Sequence, residues 1–125
     1  MARSEGRVIG IVDDDPSLRR SLRNLLMSVG FRVETFPSAD AFLESAHRAE
    51  IGCVVLDVRM PGTSGLDLLR RLVGSGSRIP VIILTAHGDD ETRRQSLEAG
   101  AVAFLEKPFR SPVLLEVVRA ALDSA

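Results

Sequence analysis

The chain has no tryptophan, no tyrosine, one cysteine and two histidines in 125 residues. Without tryptophan or tyrosine it lacks the side chains that would stack a flavin ring. The single cysteine, Cys53, excludes an internal disulfide, and a lone thiol inside an apolar run fits a reducing cytoplasm. No apolar run approaches the roughly 20 residues that a membrane-crossing helix needs. Met1 to Arg7 is polar and short, without the apolar segment of a signal peptide. No Gly-Lys-Ser/Thr element is present, so a nucleotide-binding P-loop is excluded. The formal net charge of −1 gives no electrostatic footprint for direct nucleic-acid contact or for an anionic membrane. Internal repeats and low-complexity segments are absent.

What is there is apolar patterning, with hydrophobic residues making up 45% of the chain, enough for one domain with a core from Val8 to about Ala121. The stretch Cys53-Val-Val-Leu-Asp57-Val-Arg-Met-Pro-Gly62 organises the rest. It is a short β-branched run, then one carboxylate, then a Pro-Gly turn. Such a run reads as a strand buried on both faces, as in parallel sheets. Asp57 stands where that strand surfaces.

Val8 to Val12 reads as the first strand, and Asp15-Pro16 as a helix start with a capping acid and proline at the first position. Leu18, Leu22, Leu25, Leu26 and Val29 keep helical spacing until Gly30. Phe31 to Phe36 alternates like a half-exposed edge strand. Ser38 caps a second helix carrying Ala41, Phe42 and Ala46. Ile51 to Leu56 is the third strand. A capping pattern at Ser64 to Asp67 opens a third helix with Leu66, Leu69, Leu72 and Val73 inward, and Gly74 to Ser77 is a loop. Val81 to Leu84, closed by Thr85, is the fourth strand, and Asp89 to Ala99 the fourth helix. Ala101 to Leu105 is the fifth strand. The last helix starts at Ser111-Pro112 and turns Leu114, Val117, Val118 and Ala121 inward.

Five βα units imply a flavodoxin-like α/β fold: a doubly wound parallel sheet of order 2-1-3-4-5 between two helical layers. Strand ends in such a sheet share one rim. Asp13 and Asp14 end the first strand, Asp57 the third, Thr85 the fourth and Lys107 the fifth. Two carboxylates about 5 Å apart repel by roughly 3 kcal/mol at an effective dielectric of about 20. Lys107 offsets part of that. A divalent cation would offset more, and hard oxygen donors without histidine or thiolate select Mg²⁺ or Mn²⁺. The parts suit phosphate chemistry: a metal, an ammonium, a hydroxyl and a carboxylate nucleophile.

Asp13-Asp14, Asp57 with Met60-Pro61-Gly62, Thr85-Ala86 and Lys107-Pro108-Phe109 resemble the receiver domain of two-component response regulators. The resemblance runs from Val8 to about Ala121. Thr85 to Gly88 with Ala101 to Phe109 is similar to the FixJ-like, LuxR-type subgroup. It implies that Asp57 accepts a phosphoryl group from a sensor histidine kinase. Asp14, Asp57 and the backbone carbonyl of Arg59 would ligate the metal, with Asp13 acting through a water. Lys107 and Thr85 would hold phosphoryl oxygens, and the Lys107–Pro108 bond would be cis. The switch would use Thr85 and Phe104, although the residues alone leave Phe104 equally a core residue. Its output face would be the fourth helix, fifth strand and last helix. A homodimer would form there on phosphorylation, although Arg94 departs from the apolar residues of relatives.

Such a domain catalyses only its own phosphorylation and dephosphorylation. A phosphatase with an aspartyl intermediate would want an acid two residues after Asp57, where this chain has Arg59. A stand-alone receiver and one joined to a transcription-regulating output domain both remain open, because no helix-turn-helix fits after Ala121. Asp15 reads as a cap only, His47 and His87 as solvated residues, and Arg19, Arg20 and Arg23 as an outer helix face.

Overall fold

The computed structural model describes residues 8–46, 48–60, 62–86 and 88–124. Readings placed on Met1 to Arg7, His47, Pro61 and His87 lie outside them. Five parallel strands form one sheet: β1 Val8–Val12, β2 Arg32–Phe36, β3 Ile51–Leu56, β4 Val81–Thr85 and β5 Ala103–Glu106, in the order β2-β1-β3-β4-β5. Helices α1 Pro16–Ser28, α2 Ala39–Glu44, α3 Gly65–Gly74, α4 Asp90–Glu98 and α5 Ser111–Ser124 connect or follow them. A 3₁₀ turn, Arg48–Glu50, precedes β3.

Alternation along the strands builds two cores. Val8, Val12, Val54, Leu56, Val81 and Ile83 face α2 and α3. Ile9, Ile11, Cys53, Val55, Ile82 and Leu84 face α1 and α5. Every residue of β1 and β4 is buried, as strands covered on both faces require. Burial pushes the Cys53 thiol up to about 12, so it is an inert core atom at neutral pH. Edge strand β2 alternates between exposed and partly covered residues until Phe36, whose ring meets Phe42 edge-on at 5.3 Å.

Helix ends follow local chemistry. Asp15 accepts from the amides of Ser17 and Leu18, and Pro16 opens α1. Gly30, at φ +100°, ends that helix in a conformation that favours glycine. Several expected boundaries move. Phe31 lies just outside β2 but packs in the core. Helix α2 ends at Glu44, so Ala46 is outside it and exposed. Helix α3 extends through Gly74 and buries Leu68, whereas Val73 is 51% exposed. Strand β5 starts two residues late: the Ala101 amide still bonds the Ser96 carbonyl in the turn that ends α4, and Val102 bonds Val81 of β4 just ahead of the paired residues. Leu122 joins Leu114, Val118 and Ala121 in the core, and Val117 is only partly covered.

Candidate functional site

The rim is assembled by strand pairing carried one residue past the strands. The Asp13 amide donates to the Phe36 carbonyl at 3.1 Å, Asp57 to Val12 at 3.0 Å, and Lys107 to Thr85 at 2.9 Å. Each site residue is thus fixed by the last carbonyl of its neighbour. Asp13, Asp57 and Thr85 are buried and Asp14 is exposed. Carboxylate oxygens of Asp13, Asp14 and Asp57 lie within 4.8 Å of one another. Lys107 Nζ donates to Asp13 Oδ2 at 3.1 Å and to Asp57 Oδ2 at 3.3 Å. The Lys107–Pro108 bond is cis.

Other oxygens are used locally. Asp13 Oδ1 accepts from the Asp15 amide at 2.9 Å, and Asp57 Oδ1 from the Arg59 amide at 3.2 Å. The chain after Asp57 therefore folds back over it. The Gly65 amide donates to the Val58 carbonyl at 2.9 Å, seating α3 directly behind Asp57. A Cβ at position 65 would lie 1.9 Å from the Asp57 carbonyl oxygen, so only glycine fits there.

Burial is the main reason the Asp13 carboxyl is held above its ordinary range, and the neighbouring Asp57 charge adds to it. The Asp15 amide and Lys107 oppose that shift. Three carboxylates and one ammonium leave two negative charges at the rim. A divalent cation would balance them, and the all-oxygen donors fit a hard ion such as Mg²⁺. Phe104 is partly covered and packs against the α2 and α3 side of the core.

Two contacts escape a reading of the sequence. Arg19, expected on an outer helix face with Arg20 and Arg23, turns back and donates to the Asp13 carbonyl at 2.7 Å. Its place one helical turn after the capping Asp15 is the only signal, and solvated arginines share that spacing. The Glu106 side chain covers Gly88, where an added Cβ would meet its Cγ at 2.2 Å.

The family profile described as "Response regulator receiver domain" matches residues 9–119. The response regulator protein TodT of Pseudomonas putida is 47% identical over 118 residues, covering 94% of this chain and 52% of that protein. The transcriptional regulatory protein FixJ of Bradyrhizobium diazoefficiens is 44% identical over 117 residues, covering 94% of this chain and 57% of that protein. The chain thus spans about half the length of these curated relatives. The crystal structure of FixJ-N superposes with a TM-score of 0.87 at 38% identity, covering 100% of this chain and 98% of that one. Sequence, topology and the acidic rim converge: the chain belongs to the receiver domains of two-component response regulators, the phosphoacceptor modules of that signalling system, and its relatives are of the FixJ-like kind.

Proposed function

We propose that Asp57 is the phosphoacceptor and takes its phosphoryl group from a phosphohistidine of a sensor histidine kinase. The observation that carries this is the Lys107 ammonium bridging Asp13 and Asp57 while the oxygens of all three acids stay within 4.8 Å. An Asp57 carboxylate oxygen attacks phosphorus. An O–P bond forms as the P–N bond breaks, and the imidazole leaves with the electron pair. Asp57 then carries an acyl phosphate.

Asp14, Asp57 and the Arg59 carbonyl would hold Mg²⁺ or Mn²⁺, with Asp13 acting through a water. Bound there, such a cation would supply charge neutralisation for the phosphoryl group. Lys107 meets one phosphoryl oxygen with its ammonium, and Thr85, at the end of β4, meets another with its hydroxyl. Positioning and charge neutralisation are what this transfer requires.

Thr85 and Phe104 then relay the change to the face formed by α4, β5 and α5, where a second copy of the chain pairs. The domain modifies only itself and sits in the cytoplasm. In the longer regulator it controls an output domain that acts on transcription, a reading supported by the name of the FixJ relative. Its partners are the kinase and its own copy, and it makes no direct contact with nucleic acid or membrane. No helix among the described residues is long and apolar enough to cross a membrane.

Incubation with a small phosphodonor and Mg²⁺ should add one phosphoryl group by intact mass, and Asp57→Asn should add none. Labelling that persists in Asp57→Asn would refute the assignment. Steady turnover of a phosphate monoester would favour a phosphatase. Size-exclusion with and without a phosphoryl mimic tests the dimer, and an unchanged elution volume counts against it.

A further inference from the structure

We propose that Arg19 is a positioning residue for the metal site: it clamps the peptide unit that joins Asp13 to Asp14 and thereby aims the Asp14 carboxylate. The inference rests on the Mg²⁺-binding role proposed above for these acids.

Asp13 is held from every side. Its amide bonds Phe36, its Oδ1 accepts from the Asp15 amide, its Oδ2 accepts from Lys107, and its carbonyl accepts from Arg19 Nη1 at 2.7 Å. Asp14 is different. It is exposed, and no hydrogen bond or ion pair to a described residue holds its carboxylate. The backbone from which it hangs is therefore what limits the positions it can reach. The Asp13 carbonyl belongs to the same planar peptide unit as the Asp14 amide. A bond to that oxygen resists rotation of the plane, and with it the swing of the Asp14 side chain.

Arg19 can reach because long helical side chains lean toward the helix N-terminus. Asp15 fixes where the helix begins, and the Arg19 amide closes the first helical bond on the Asp15 carbonyl at 3.0 Å. The guanidinium is always charged, so its bond to a carbonyl is charge-assisted. It is also partly covered, which shields that bond from water. Arg20, the next residue, is exposed and makes no such bond, so it provides an internal control for charge alone.

The test is a Mg²⁺ titration of the unphosphorylated protein, followed by the amide shifts of Asp14 and Asp57. Arg19→Met keeps the aliphatic stem and removes the donors. It should weaken Mg²⁺ binding on the order of tenfold, as loss of a ligand-orienting bond does. Arg20→Met removes the same charge and should change the affinity less than about twofold, the bond being intact. Arg19→Lys should fall between wild type and Arg19→Met. In chelator, exchange of the Asp15 amide, which bonds Asp13 Oδ1, should quicken in Arg19→Met alone.

Equal affinities for Arg19→Met and Arg20→Met would overturn the inference and leave the phosphoacceptor reading standing. Should Arg19→Met fail to fold, Arg19→Lys decides: an affinity below wild type supports the clamp, and wild-type affinity overturns it. No saturable Mg²⁺ binding by wild type would remove the metal role itself, and the inference with it.

Discussion

Helices α3 and α4 leave the same rim and start alike, yet they are held quite differently. They have 10 and 9 residues, and each is capped by a side chain, Ser64 bonding the Asp67 amide and Asp89 the Thr92 amide. Helix α3 buries Gly65, Leu66, Leu68, Leu69 and Leu72. Helix α4 buries only Ser96, and that hydroxyl has no hydrogen-bond partner among the described residues. Full burial of a leucine contributes about 1.5–3 kcal/mol. An unsatisfied buried hydroxyl costs about 1–3 kcal/mol. Helix α4 is instead dressed on its outside, where Arg94 pairs with Glu91 and, at 3.0 Å, with Glu98. Exposed pairs of that kind are screened by solvent and add little to stability. One side of the site is thus anchored, and the other is lightly packed. The helix after Asp57 is part of the foundation, and the helix after Thr85 rests on it lightly.

The sharpest way to break this contrast is truncation on both sides. Leu69→Ala should cost about 2–5 kcal/mol in a denaturant melt. Leu97→Ala, at a side chain 38% exposed on α4, should cost under about 0.5 kcal/mol. Comparable losses would mean α4 is as firmly packed as α3. A smaller effect of opposite sign is expected at Ser96. Ser96→Ala removes the unsatisfied hydroxyl, so it should slow amide exchange in α4 by about 1 kcal/mol. Faster exchange would show that the hydroxyl has a partner in solution.

The smallest effect concerns the anchored rim and pH. The folded Asp13 carboxyl keeps its proton to higher pH than the unfolded one, whose ordinary value is 3.8. Folded protein therefore binds more protons above that pH, and the Asp13 contribution to stability falls as pH rises. In chelator, the stability of wild type minus that of Asp13→Asn should decline upward from pH 3.8. A difference that grows with pH would mean that the bonds from Lys107 and the Asp15 amide outweigh burial.

The sheet was legible because its strands are buried on both faces, and that leaves a plain apolar mark in runs such as Val81 to Leu84. Strand ends then follow, and with them the meeting of Asp13, Asp14, Asp57 and Lys107. Helix faces were less legible. Leu72 and Val73 are adjacent and both apolar, and spacing alone does not say which turns inward. The structure turns Leu72 in and leaves Val73 out. The start of β5 was misplaced because Ala101 and Val102 are as apolar as the strand that follows, and the bond from the Ala101 amide back to Ser96 is what keeps Ala101 in the helix-ending turn. Arg19 was hidden among Arg20 and Arg23, since its bond goes to a backbone oxygen, which no residue pattern marks. Gly65 was read as part of a helix cap, whereas its place follows from how closely α3 abuts Asp57.

That abutment gives the acceptor a rigid backstop. With the Asp57 carbonyl close against a residue that has no side chain to yield, bulk added to its carboxylate would find little slack along its own strand. The shift would go sideways, across the sheet to Thr85 and the loop that leads into the lightly seated helix.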